Sequence, residues 1–255
     1  MTTPNLPNFV FMPHPMPAVP VKGTDQHFAV RRIFCVGRNY AAHAREMGFS
    51  DKEPPFFFTK PADALVMSGA HIPYPMLTND LHHEIELVLA IGGGGMNIPR
   101  EEAASHIFGA AVGIDLTRRD LQIAHREKGR PWDWGKAFDR SAPITPITPV
   151  DDLPKNLQSF EEGRIWLDVN GERRQDASLS ELIWRVEDVI AYCSQSVELK
   201  SGDLIYTGTP EGVGKLEPGD VITGGLDGLD EISVTLDHDR AGGDRAGGDR
   251  AGGEG

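Results

Sequence analysis

The chain has 255 residues, 39% of them hydrophobic, enough for one large domain or two small ones. Its 29 glycines and 19 prolines imply many turns and argue against a helical bundle. A formal charge of −13 argues against a nucleic-acid partner, which needs clustered Lys and Arg, and leaves most carboxylates as solvated surface groups.

Met1 to Lys22 is rich in Pro and lacks a charged start followed by an apolar run, so it does not read as a signal peptide. No stretch approaches the ~20 apolar residues that cross a bilayer. Neither a membrane nor an export route is expected, and a cytoplasmic location is. Residues 1–30 read as an irregular lead-in with at most short strands, residues 31–238 as the folded domain and residues 239–255 as a tail. That tail repeats Asp-Arg-Ala-Gly-Gly from Asp239 and ends near Glu254. Small residues with alternating charges cannot bury a face, so disorder is expected there.

Within the domain, Arg32 to Val36 is a short apolar run, and Ala41 to Met47 is helix-like with Gly48 as its stop. Glu84 to Ile91 alternates acidic and apolar residues and suits a strand with one polar face, ended by a plain turn at Gly92 to Gly95. Ile107 to Leu116 is apolar and leads into a helix-like stretch from Asp120 to Glu127. Ile165 to Val169 before Asn170-Gly171 signals a hairpin. Ser178-Leu-Ser-Glu181 is a capping-box pattern, and Leu182, Ile183, Val186, Val189, Ile190 and Cys193 follow at helical spacing as a packing face. Leu204 to Tyr206, Val221 to Thr223 and Ile232 to Leu236 read as short strands. The order predicts an α+β, mostly β architecture with flanking helices.

Chemistry concentrates in a few places. On a strand, Glu84 and Glu86 share a face while Ile85 packs behind, and a divalent cation is one reason such a repelling pair persists. From spacing alone, the wet face of an exposed strand is the commoner reading of Glu-x-Glu. Asp115, at the end of a buried run, is placed as a third ligand. Three carboxylates with no cysteine favour Mg²⁺, with Mn²⁺ or Ca²⁺ as alternatives. His82 and His83 point to opposite faces of a strand, which makes zinc the weaker option. Cys35 and Cys193 form no CxxC pair and read as buried thiols in a reducing compartment. His43 and Glu46, three apart on a helix, pair as a general base with its orienting carboxylate or simply as a surface ion pair. Lys136, among aromatics, either stabilises an enolate or snorkels to solvent along Trp134. Thr207 to Gly214 is glycine-rich without the ending of a P-loop, and its amides could take a substrate carboxylate.

Together FCVGRNYAAHAREMG, PPFFFTKPADAL, LHHEIELVLAIG, GIDLTRRDLQ, GRPWDWGKAFDRSAPI and SGDLIYTGTPEGVG resemble the fumarylacetoacetate hydrolase family from about Arg31 to Leu236. The resemblance implies a β-roll of mixed sheets, a homodimer, and Mg²⁺ or Mn²⁺ held by Glu84, Glu86 and Asp115. It also implies a water-activating dyad of His43 and Glu46 on a lid. Lys136, Arg119, Gln122, Tyr40, Gly208 and Thr209 are implied around the substrate. The activity it implies is hydrolysis of a C–C bond in a small β-diketo acid. The wording of PPFFFTKPADA and LHHEIEL favours fumarylpyruvate, split to fumarate and pyruvate as in gentisate-type aromatic catabolism. Acylpyruvate hydrolysis and oxaloacetate decarboxylation or tautomerisation stand as alternatives on the same scaffold. Arg38, Arg118 and Lys60 are the candidate cations for a second substrate carboxylate.

Overall fold

The computed structural model describes residues 9–40 and 53–240. The predicted helix over 41–47, with His43 and Glu46, and nearly all of the repeat tail lie outside the described residues. Eleven elements in chain order frame the site, beginning with β1 (Arg32–Gly37), β2 (Phe56–Lys60), β3 (Leu65–Met67) and β4 (Leu81–His83). They continue with β5 (Ile85–Ile91), β6 (Ile107–Ile114), α1 (Arg119–Glu127), α2 (Asp133–Lys136) and β7 (Ala142–Ile144). A long helix, α3 (Val186–Ser196), and strand β8 (Asp203–Tyr206) complete the set.

The main sheet runs β2-β1-β8-β5-β6-β7-β3, with Thr148–Pro149 paired beside β6. It is mixed: β8 runs parallel to β1 and β7 parallel to β3, whereas β5 and β6 are antiparallel. A second, five-stranded sheet is built on the predicted Asn170-Gly171 hairpin, whose strands are Arg164–Val169 and Glu172–Ser178. Both residues of that turn take positive φ, as a tight hairpin requires. The fold is therefore mostly β with flanking helices.

Strand β5 is buried along its whole length, which corrects the expectation of one solvated face. Ile85, Leu87, Leu89 and Ile91 enter the larger core, and Val88 and Ala90 enter a second core on the opposite face of the sheet. Glu84 and Glu86 share the parity of Val88 and Ala90, so the acidic end of the strand opens onto a second core rather than onto water.

The expected helix from Ser178 is two pieces. Ser178 and Glu181 do form a reciprocal cap, but it closes only a short turn over Leu179–Glu181. The regular helix begins at Val186, so Leu182 and Ile183 precede it. Their backbone is drawn to the end of β1 instead: Leu182 bridges Tyr40, and the Ile183 N–H donates to the Asn39 carbonyl at 2.8 Å. Val186, Val189, Ile190 and Cys193 then bury as expected.

Candidate active site

The adjacent strands β5 and β6 deliver the carboxylates. Glu86 lies opposite Gly113 in register, and the Asp115 N–H donates to the Glu84 carbonyl at 2.8 Å. This brings Glu84, Glu86 and Asp115 together with one oxygen from each within 4.8 Å of the others. Among the described residues this is the sole convergence of three or more such ligand side chains. All three are buried, at 5%, 1% and 0% exposure, so the solvated-face reading of Glu84 and Glu86 does not hold.

Three cations face the three acids. The Lys136 ammonium donates to Glu84 Oε2 at 2.7 Å, Asp115 Oδ2 at 2.6 Å and Thr117 Oγ1 at 2.6 Å, using all three of its protons. It does not snorkel. Burial works against its charge, but Asp115 and Glu84 hold it above the ordinary lysine value. Arg119, at the start of α1, bonds Glu84 Oε1 and donates to Gln122 Oε1 at 2.5 Å. The third cation is Lys60. At 1% exposure its ammonium donates to the carbonyls of Leu116 and Lys136 and lies 2.8 Å from Asp115 Oδ1. That placement removes Lys60 from the candidates for a distal substrate carboxylate. Arg118 is removed as well: its guanidinium stacks over Phe138 and donates to the Trp134 carbonyl, and it lines a separate surface cleft.

The acids fit a divalent cation. Glu86 is pushed well above the usual carboxylate range by burial, then by Asp115 and Glu84, against the pull of the Gly208 N–H and Lys136. Asp115 Oδ1 is buried, and although Lys60 is close, it accepts no well-aligned hydrogen bond. A donor set made wholly of carboxylate oxygens suits a hard cation. Neither histidine joins it. His82 Nε2 is 2.9 Å from Asp80, and His83 Nδ1 is 3.0 Å from Gln175 Oε1, with burial pushing His83 down to about 4.

Two residues that the sequence reading did not single out hold these parts in register. Gln175, on the second sheet, accepts from the Ile85 N–H at 3.2 Å and pairs with His83. Its amide donates to Thr209 Oγ1 at 2.8 Å and to the Pro210 carbonyl at 2.9 Å. It thus ties the strand bearing Glu84 and Glu86 to the 208–210 loop. Fully buried Asn39 donates to the carbonyls of Trp184 and Thr207 and accepts from the Trp184 N–H. The loop itself is committed to the acids, since the Gly208 N–H donates to Glu86 Oε2 at 2.7 Å. Glutamine in a strand and asparagine after one carry no local signal, because their partners are 34 to 168 residues away.

The pocket above the acids is lined by Glu84, Glu86, Arg119, Gln122, Lys136 and Thr209, with Arg38, Phe56, Trp132 and Arg126 towards its mouth. Tyr40 is buried nearby, its hydroxyl held above the ordinary range by burial and then by Glu86.

Residues 32–236 match the family model described as fumarylacetoacetate (FAA) hydrolase C-terminal. A fumarylpyruvate hydrolase from Ralstonia sp is 46% identical over 184 residues, 72% of this chain and 93% of its own length. The mitochondrial oxaloacetate tautomerase of Homo sapiens is 38% identical over 206 residues, covering 81% and 90% of the two chains. The crystal structure of fumarylpyruvate hydrolase from Pseudomonas aeruginosa in complex with Mn²⁺ and pyruvate superposes with a TM-score of 0.85 at 51% identity. It covers 90% of this chain and 99% of that one.

Proposed function

The chain belongs to the fumarylacetoacetate hydrolase family, and from that premise we propose that it hydrolyses the C3–C4 bond of fumarylpyruvate to fumarate and pyruvate. The observation that carries this reading is the buried meeting of Glu84, Glu86 and Asp115 with Lys136 and Arg119 in one pocket. Mg²⁺ is the proposed ion, with Mn²⁺ or Ca²⁺ as alternatives, held by the three acids. When bound, such an ion supplies Lewis acidity to the 1-carboxylate and 2-oxo end of the substrate.

The chain's own groups do the rest. His43, oriented by Glu46, takes a proton from water, whose oxygen attacks C4. As the C3–C4 bond breaks, its electron pair passes to the pyruvate fragment and charge grows on the 2-oxo oxygen. The Lys136 ammonium is preorganised beside that oxygen, and C3 then takes up a proton. A buried fixed cation favours the transition state over the ground state, which is how such a contact accelerates the step. Arg119 and Gln122 orient the keto acid, and Thr209 faces its carboxylate. We place the enzyme in aromatic catabolism, as a cytoplasmic homodimer. Light scattering on the eluting protein measures the latter directly.

A second reading, tautomerisation or decarboxylation of oxaloacetate, draws on relatives so named at 37–40% identity, including an oxaloacetate decarboxylase from Dictyostelium discoideum at 40%. It needs the metal and the cations but no attacking water. Side-by-side turnover of fumarylpyruvate, acetylpyruvate and oxaloacetate, with and without Mg²⁺, separates the two. Fumarylpyruvate should lead, and His43→Ala should abolish its hydrolysis. A preference for oxaloacetate that survives His43→Ala selects the second reading.

A further inference from the structure

The far end of the substrate is the part of the site still unassigned. Helix α1 offers a ruler for it. Arg119, Gln122 and Arg126 are spaced i, i+3 and i+7, which sets them in one stripe, and all three line the pocket. At 1.5 Å per residue the stripe carries Arg126 about 10 Å along the axis from Arg119. Arg119 and Gln122 are joined to each other, and Arg119 is bonded to Glu84, so this end of the stripe sits on the acids. The other end reaches the mouth. Fumarylpyruvate is a chain of seven carbons whose two carboxyl carbons lie roughly 7–8 Å apart when extended. The substrate is a few ångströms shorter than the ruler, a gap that the long Arg126 side chain can bridge.

Arg38, which follows β1, lines the same pocket. Its backbone has φ 65°, a left-handed conformation that a residue with a side chain adopts at a cost. Its guanidinium stacks 5.1 Å over Phe56, with Glu53 3.6 Å away. Burial pushes the Arg38 guanidinium below its ordinary range, Glu53 opposes this, and the charge of Arg126 adds to it. The two arginines therefore feel each other at the mouth. An anion between them relieves that repulsion and can take paired N–H donors from each.

We propose that Arg126, together with Arg38, binds the distal carboxylate of the substrate, and that Arg126 selects acyl groups ending in a carboxylate over those ending in a methyl. The proposal rests on the reading of the site as a β-diketo acid hydrolase. Lys136, Lys60 and Arg119 sit at the acid end of the site, and Arg118 lies against Phe138 and lines a different cleft.

The test compares fumarylpyruvate with crotonylpyruvate, which replaces the distal carboxylate by a methyl, on the Mn²⁺-loaded wild type, Arg126→Met and Arg126→Lys. The ratio of the two kcat/KM values should fall roughly 10- to 100-fold in Arg126→Met, as expected for loss of a hydrogen-bonded charge partner. The change should fall mainly on KM for fumarylpyruvate, and Arg126→Lys should restore part of it. A ratio that stays put, or a parallel loss on both substrates, overturns the assignment. If the wild type hydrolyses neither compound, the proposed activity fails, and the clamp is then judged by calorimetry with fumarate and crotonate. A fumarate preference that is present in the wild type and lost in Arg126→Met upholds it, and equal binding of the two acids removes it.

Discussion

Asp115 carries a lysine on each oxygen, Lys136 on Oδ2 and Lys60 beside Oδ1, with all three side chains at or below 2% exposure. A buried carboxylate that loses one of its cations costs about 3–5 kcal/mol, because its charge is no longer balanced out of water. Lys60→Met should therefore lower the melting temperature markedly in the metal-free protein. Saturating Mn²⁺ should recover much of that loss, since the added cation rebalances the same acids. Thermal unfolding with and without Mn²⁺ measures this, and an equal loss in both states would contradict it. Gln175→Leu makes a related point at a distance. It leaves the Ile85 N–H and Thr209 hydroxyl without their partner while touching no acid directly. Residues that orient ligands typically contribute 10- to 100-fold, so Mn²⁺ affinity or kcat/KM should fall by about that factor. Calorimetry with Mn²⁺ alone gives a readout independent of turnover.

At the scale of elements, the site is a junction of two neighbouring strands and one loop. The even-numbered face of β5 begins with Glu84 and Glu86 and continues with Val88 and Ala90, so polar and apolar halves of one face share a single strand. Gly113 of β6 makes this possible: a Cβ there would meet the Tyr206 ring at 2.5 Å and Val88 at 2.6 Å. The loop depends on Gly208, whose φ of +100° is costly for any residue with a side chain. Its added Cβ would also stand 2.7 Å from Asn39 Cβ. Gly208→Ala should shift the amide off Glu86 and lower both stability, by about 1–3 kcal/mol, and turnover. Denaturant unfolding and kcat/KM should drop together, and an active variant of normal stability would show that the loop adapts.

For the whole molecule, three buried acids matched by three cations make a nearly neutral centre, to whose stability a bound metal should add. Metal at 100 times its Kd stabilises the native state by about 2.7 kcal/mol. That corresponds to a rise of roughly 5–10 °C for a domain of this size. Titrating Mg²⁺ or Mn²⁺ into chelator-treated protein, followed by differential scanning calorimetry, checks it. Glu84→Gln and Asp115→Asn should blunt that rise and abolish metal-dependent turnover.

Much of this was readable one element at a time. The alternation at Glu84-Ile85-Glu86, the Asn170-Gly171 turn and the apolar run ending in Asp115 are local patterns, and the motif set by itself resembles one family. Local patterns could not show that neither side of β5 faces water, because Glu84 and Glu86 are buried by groups from other elements, Arg119, Lys136 and the Gly208 loop. Nor could they show that Ser178 caps a single turn, since Leu182 and Ile183 spend their backbone on Asn39 and Tyr40, more than 140 residues earlier. The chemical kind of the site, carboxylates with a lysine, was thus determined by sequence alone. Tertiary structure decided the partners. Lys60 went to Asp115, Arg118 to Phe138 and Arg126 to the pocket mouth, because a long cationic side chain can reach several places and only the assembled sheets determine which acids and carbonyls lie within its range.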